Sequence, residues 1–152
     1  MQRKDIKKQA GKDGSKLKIG VVVSTYYDDI TGRMLVGALQ TLKEWNVSEK
    51  NTTIVRVAGS FEITHGVLSL LKRKKYDAII TLGCIIKGET SHDEFIAHAV
   101  AQGIVNMMIE YKTPISFGVV TTNDLPQAVV RSTGKNNKGI ESALAALEAA
   151  LL

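Results

Sequence analysis

The sequence predicts an α/β/α sandwich built on a four-stranded parallel sheet. Short apolar, β-branched runs alternate four times with segments in which apolar residues recur at helical spacing. The first run, residues 17–23, is nearly all apolar, which is typical of a strand in a sheet covered on both faces. Such an alternation predicts parallel strands joined by helices that cover both faces of the sheet.

The first half of the chain supplies two strand–helix units. After the strand at 17–23, Thr31 is a candidate N-cap for a helix that ends at Trp45 and Asn46. Residues 52–57 form the second strand. The helix after it is predicted from the spacing of Ile63, Val67, Leu70 and Leu71, and it ends in the basic run 72–75.

The second half repeats the pattern. Residues 78–82 predict the third strand, which breaks at Gly83, and Ser91-x-x-Glu94 predicts a capping box at the start of the next helix. Residues 115–120 predict the fourth strand. Asp124, with Gln127 three residues on, is a candidate cap for a short helix, and residues 140–152 predict the last one.

Composition indicates one soluble domain. The chain has 152 residues, of which 44% are hydrophobic and 23% charged, and no apolar run approaches a membrane span. The single cysteine, Cys84, and the absence of an apolar signal segment lead us to expect a cytoplasmic protein. We expect residues 17–152 to form the domain and residues 1–16 to be a basic, poorly ordered tail.

The tail accounts for most of the net charge of +5. It contains six basic residues and two acids, so the remaining residues are close to neutral. No aromatic side chains interleave with the basic ones, so a base-stacking surface is not indicated and we expect no nucleic-acid partner. A solvated tail is favoured over one that contacts an acidic surface.

The stretch 83–94 is the strongest candidate site. It combines a glycine at each end of a polar loop with a helix start beyond a strand's carboxyl end, where open parallel sheets bind ligands. Free N–H groups and the helix dipole there favour an anion, and His92 is a candidate proton carrier. A flat ligand could stack on Tyr26 or Tyr27 and hydrogen-bond to Ser60 or Glu62, with its anionic part on Gly88 to Thr90.

Other common sites are not indicated. The first strand is not followed by Gly-x-Gly-x-x-Gly, and no Walker A sequence occurs. The three histidines lack the spacing and supporting cysteines of a zinc site, so no metal is expected.

Four segments of the sequence are specific when taken together, in their order and spacing. They are Gly-Ser-Phe-Glu-Ile at 59–63, Gly-Cys-Ile-Ile-Lys-Gly-Glu-Thr-Ser-His at 83–92, residues 114–122 and residues 137–141. Through these segments the chain resembles the lumazine synthase family from Lys18 onward. The resemblance implies a flavodoxin-like fold and a transferase of riboflavin biosynthesis that condenses 5-amino-6-(D-ribitylamino)uracil with 3,4-dihydroxy-2-butanone 4-phosphate, without cofactor or metal.

The resemblance also implies residue roles. His92 would be the catalytic proton donor. The residues that would bind the uracil and its ribityl chain are Tyr26, Ser60, Phe61, Glu62, Cys84, Ile85, Ile86, Phe117 and Lys138. The residues that would bind the phosphate are Gly88, Glu89, Thr90 and Arg131, with Phe117 and Arg131 reaching in from a neighbouring subunit.

The residues alone, without the resemblance, leave purely structural interpretations open. His92 would then be a surface or capping residue, and Arg131 a cation at a helix end. Phe117 would be a core residue and Tyr26 a packing residue. Cys84 is read as a small wall residue and not as a nucleophile.

The resemblance further implies a homo-oligomer, either a pentamer or a 60-subunit icosahedral capsid, with riboflavin synthase as a further candidate partner. Two alternative functions remain: an archaeal-type riboflavin synthase, and a catalytically weak homologue that binds flavin or lumazine. The chain departs from the family at Lys87, where arginine is common, at Asp93, where an aromatic is usual, at Ala58 and Thr64, where prolines are usual, and in a shorter 132–137 loop.

Overall fold

Strands and helices alternate through the computed structural model, which describes residues 13–152. The strands are β1 (Ile19–Ser24), β2 (Thr52–Val57), β3 (Ala78–Ile86) and β4 (Ile115–Thr122). The helices are α1 (Asp28–Glu44), α2 (Ile63–Arg73), α3 (His92–Tyr111), α4 (Leu125–Arg131) and α5 (Lys138–Ala150), with short 3₁₀ turns at Glu49–Asn51 and Gly134–Asn136.

The four strands form one sheet in the order β2-β1-β3-β4, and every neighbouring pair is parallel. This is the order of the flavodoxin-like doubly wound sheets. The chain leaves β1 for β2 on one side and returns to β3 on the other. The carboxyl ends of β1 and β3 therefore flank the crevice where such folds bind ligands. The predicted fold class is confirmed.

Two apolar clusters cover the sheet, one on each face. On one face, Val21 and Ile80 pack with residues of α1 and α5 such as Met34 and Leu147. On the other face, Val22 and Ile79 pack with residues of α2 and α3 such as Val67 and Ile104. Because both faces are covered, β1 is buried along its whole length, as its apolar sequence predicted.

Close backbone packing explains two glycines. A Cβ on Gly139 would lie 1.8 Å from the Met34 carbonyl oxygen, so α1 and α5 meet where only glycine fits. A Cβ on Gly83 would lie 2.7 Å from Ile63 Cδ1 and 2.9 Å from Ser60 Oγ. Gly83 therefore lets the start of α2 lie directly on β3.

The role of Gly83 corrects one prediction. The third strand does not break there but continues to Ile86, so Cys84 and Ile85 are strand residues and not loop residues. They pair with Val120 and Thr121 of β4. The glycine serves helix packing at this position and does not mark a turn.

One predicted helix cap was wrong, and a second was right in its position but not in its hydrogen bonding. α1 begins at Asp28, and Thr31 is a buried residue inside its first turn whose hydroxyl donates to the Ser24 carbonyl at 2.6 Å. Ser91 is the N-cap residue of α3, but its side chain makes no capping hydrogen bond. The predicted cap at Asp124 is confirmed, because its carboxylate accepts from the Gln127 N–H at 2.8 Å.

α5 starts two residues earlier than predicted, capped by Asn137, whose side chain accepts from the Gly139 N–H.

At the other end of the chain, most of the predicted tail lies outside the described residues. Within the described part, Gly14 N donates to the Trp45 carbonyl at 2.7 Å, which joins this segment to the end of α1. No helix among residues 13–152 is long and apolar enough to cross a membrane.

Candidate active site

A cavity of about 800 Å³ lies at the carboxyl ends of β1, β2 and β3, and it is called here the aromatic cavity. Its walls come from the segments that follow those strands and from the first two turns of α3. Its lining residues are Tyr26, Tyr27, Gly59, Ser60, Phe61, Glu62, Cys84, Ile85, Ile86, Gly88, Thr90, His92, Asp93, Phe95, Ile96 and Ala99.

Aromatic rings form the outer walls of the aromatic cavity. Tyr26 is 76% exposed and Phe61 is 56% exposed, so both offer ring faces to a ligand. Tyr27 lies edge-on to Tyr26, with ring centroids 5.0 Å apart, and partial burial raises the pKa of its phenol. This arrangement suits a flat heterocycle, because an exposed ring can stack on a planar ligand.

Hydrogen bonds fix the polar side of the cavity. Glu62 accepts from the Gly59 N–H at 2.9 Å, which closes the turn between β2 and α2. Ser60 Oγ donates to the Cys84 carbonyl at 3.2 Å and ties that turn to β3. The turn is thus held rigidly against the strand that supplies the cavity floor.

Cys84 is a wall residue and is not activated as a nucleophile. Its side chain is buried, and burial raises the pKa of the thiol to about 11. Since the thiolate is the reactive form, Cys84 is protonated and inert near neutral pH.

The loop between β3 and α3 places His92 at the cavity rim. Lys87 N donates to the Thr122 carbonyl at 2.8 Å, which anchors the start of the loop to the end of β4. His92 is exposed in the first turn of α3, and its backbone N–H makes a long contact of 3.4 Å with Thr90 Oγ1. Gly88 and Thr90 lie beside it on the cavity wall, next to the positive end of the 20-residue helix.

A second cavity of about 430 Å³ lies at the β4 edge of the sheet, and it is called here the basic cavity. Its lining residues are Ser116, Phe117, Gly118, Val119, Val120, Thr121, Arg131, Lys138, Glu141, Ser142 and Ala145. Phe117 is 48% exposed there, so the core reading of this residue is wrong.

The two cations of the basic cavity differ in their partners. Lys138 Nζ lies 2.8 Å from Glu141 Oε2, in a largely buried ion pair. Arg131 Nη1 donates to the Gln127 carbonyl at 3.2 Å, and no carboxylate of the described residues forms a salt bridge with it. Arg131 therefore keeps donors for an incoming anion.

The predicted site residues divide between the two cavities, which share no lining residue. Ten of them line the aromatic cavity, whereas Phe117, Arg131 and Lys138 line the basic cavity. Glu89 is exposed and lines neither. A single chain therefore does not bring the predicted phosphate-binding residues together.

Charge divides in the same way. The aromatic cavity has two acids, Glu62 and Asp93, and no lysine or arginine among its lining residues. An anionic ligand there would have the α3 N-terminus and His92 but no fixed cation. The fixed cations lie in the basic cavity.

Sequence reasoning missed several wall residues on α3. Phe95, Ile96 and Ala99 line the aromatic cavity together with His92, and Phe95 is 72% exposed. These positions follow His92 at i+3, i+4 and i+7, so they share its face of the helix. That spacing was available in the sequence as a signal.

Across residues 13–152, no group of three or more histidine, cysteine, aspartate or glutamate side chains could hold a metal ion. The exposed rings, the backbone amides at the start of α3 and the imidazole of His92 are groups suited to stacking, hydrogen bonding, anion binding and proton transfer.

The sequence model of the 6,7-dimethyl-8-ribityllumazine synthase family matches residues 16–152. The chain belongs to this family. Lumazine synthases are transferases of riboflavin biosynthesis, and the match spans nearly every described residue, including both cavities. The earlier resemblance, based on four short segments, is thereby confirmed at the level of the family.

Proposed function

We propose that this lumazine synthase family member condenses 5-amino-6-(D-ribitylamino)uracil with 3,4-dihydroxy-2-butanone 4-phosphate. The products are 6,7-dimethyl-8-ribityllumazine, inorganic phosphate and water. The observation that carries the proposal is the pairing of an aromatic, hydrogen-bonding cavity beside His92 with a separate cavity where Arg131 has free donors.

The uracil substrate fits the aromatic cavity by its chemistry. Its ring is flat and would stack on Tyr26, while the edge groups would bond to backbone groups at Cys84, Ile85 and Ile86. The ribityl chain would lie toward Ser60, Phe61 and Glu62. Lys138 is proposed to act near the ring from the neighbouring copy, together with Phe117.

The butanone phosphate needs a cation that the aromatic cavity does not supply. Gly88, Thr90 and the backbone of Glu89 would bind the phosphate at the α3 N-terminus, and Arg131 of an adjacent copy would complete the site. Because the cation lies in a separate cavity, we propose a homo-oligomer with active sites between subunits. A pentamer, or a shell built of pentamers, is what membership of the family implies.

The reaction needs few chemical groups. The uracil amine attacks the ketone and a first water leaves to give an imine; phosphate then departs, the enol tautomerises, and ring closure releases a second water. Holding two substrates in contact supplies most of the acceleration in this class of condensation. His92 would move protons in these steps, a role worth about 10²–10⁴-fold in rate.

Direct synthesis tests the proposal. The purified protein is mixed with both substrates, and formation of the lumazine chromophore is followed against the uncatalysed rate. We expect product well above that rate, with phosphate released in equal amount. Tight riboflavin binding without product would instead support the flavin-binding alternative, and riboflavin formed from lumazine alone would support the riboflavin synthase alternative.

A further inference from the structure

An acidic side chain in the first turn of α3 contacts the loop proposed to bind phosphate. Asp93 Oδ1 accepts from the Gly88 N–H at 3.4 Å, and both residues line the aromatic cavity. The carboxylate therefore uses an N–H group that would otherwise be available to an anionic ligand.

The residues around this contact leave the negative charge of Asp93 without a lysine or arginine on the cavity wall to balance it. Gly88 is exposed and lines the cavity, and a Cβ added there would meet no atom within 4 Å. Ser91 makes no side-chain cap on α3, and the acidic residues in the first turn of this helix are Asp93 and Glu94. No lysine or arginine lines this cavity to offset a second negative charge.

We infer that Asp93 is a specificity-determining residue that acts as an internal anion at the Gly88 amide and weakens the binding of free phosphate. The inference rests on the proposed function of this loop. An entering phosphate must displace the carboxylate from Gly88 or bind beside it, and either event costs free energy because like charges repel.

This free-energy cost differs between inorganic phosphate and the phosphate ester substrate. Inorganic phosphate binds through its anionic oxygens alone, so it experiences the full effect. The phosphate ester is also held through its carbon chain and becomes covalently joined to the uracil. Asp93 therefore favours release of the phosphate product over loss of the reacting ester.

The test compares Asp93→Asn with Glu94→Gln in the intact protein. Asparagine keeps an oxygen that can accept from Gly88 but removes the charge. Glu94 is exposed in the same helical turn and does not line the cavity, so its substitution removes an equal charge from the same helix end. The probe is inorganic phosphate, titrated by calorimetry and as an inhibitor of lumazine formation.

We expect Asp93→Asn to bind inorganic phosphate roughly three- to tenfold more tightly, with Glu94→Gln changing the Kd by less than about twofold. The KM for the uncharged uracil substrate should stay the same in both variants. Phosphate inhibition should strengthen in Asp93→Asn in proportion to the Kd.

Three results would overturn the inference. Equally tighter phosphate binding in both variants would mean that the two carboxylates act only through their negative charge near the N-terminus of α3. Unchanged or weaker phosphate binding in Asp93→Asn would mean that Asp93 merely shapes the loop. Absence of phosphate binding in all forms would remove the anion site itself. Failure of the proposed function is separate, since it shows as no lumazine from the wild-type protein, whatever the phosphate titration gives.

Discussion

The aromatic cavity and the basic cavity differ in almost every property although one chain builds both. The first is formed where three strands end, is walled by Tyr26 and Phe61, and holds His92. The second lies along the side of the edge strand β4 and against α5, and it holds Arg131. One therefore has a proton carrier without a fixed cation, and the other has a fixed cation without a histidine.

The difference follows from the topology. Loops at the carboxyl ends of parallel strands converge on one crevice, so they build the aromatic cavity within the chain. β4 is an edge strand, Phe117 and Thr121 on it are exposed, and no other strand of residues 13–152 pairs with its free edge. Such a half-covered edge with a free cation suits contact with another copy. The proposal of active sites between subunits rests on this difference.

Removing the proton carrier should have the largest effect. His92→Asn is expected to lower kcat by about 10²–10⁴-fold while changing the KM values little, because proton transfer and not binding is lost. Steady-state lumazine formation measures this. His98→Asn is the matched control, since His98 lies on the same helix, bonds to the Glu94 carbonyl, and does not line the cavity. Equal effects of the two substitutions would contradict the role of His92.

Removing the free cation should have the next largest effect. Arg131→Gln is expected to lower kcat/KM for the phosphate substrate by roughly 10²-fold, because a charge-assisted contact to phosphate is lost. Lys135→Gln removes an equal charge from the following exposed loop and lines neither cavity. If both substitutions reduce kcat/KM by the same factor, Arg131 acts through the net positive charge of this region and not through direct contact with the phosphate.

The burial of Cys84 in the wall of the aromatic cavity should slow the reaction of its thiol with alkylating reagents. Because burial raises the pKa of Cys84 to about 11, alkylation by iodoacetamide should be slow at pH 7 and should accelerate with a midpoint near pH 11. The thiol is protonated below that value and becomes a thiolate above it. Rate measurements across pH, on protein shown to stay folded, check this. A midpoint near 8.5 would mean that the wall is open to water.

The smallest effect is expected at Glu89. Its side chain is exposed and lines neither cavity, so only its backbone N–H would contact phosphate. Glu89→Gln should change the KM for the phosphate substrate by less than about twofold, since the backbone group is kept. A clear rise in KM would show that the carboxylate itself takes part.

Most of the fold followed from patterns in the sequence, and the errors have local physical causes. The apolar alternation predicted the sheet and its helices because the two central strands, β1 and β3, are buried along nearly their whole length. Gly83 was misread as a turn, since a glycine required by contact with Ile63 looks the same in sequence as one required by a bend. Thr31 was misread as a cap because its hydroxyl bonds to the Ser24 carbonyl from inside the helix.

The candidate site was predictable in its parts but not in its arrangement. The loop at 83–94 and the aromatic residues after β1 were evident from polarity at strand ends. Local sequence patterns do not show that Arg131 and Lys138 lie in a different cavity from His92. This separation depends on strand order and on the packing of α5. Only the resemblance to a family had suggested that a neighbouring subunit completes the site.

The central claim is that each active site takes His92 from one copy and Arg131 from another, and subunit mixing tests it most directly. Chains with His92→Asn and chains with Arg131→Gln are coexpressed, purified together, and shown by mass spectrometry to be present in equal amounts. Each variant alone should be nearly inactive. In a ring of heterologous contacts, random mixing should restore about one quarter of the sites to an intact pair, and hence about one quarter of wild-type lumazine formation. Mixed assemblies no more active than either variant alone would contradict the account.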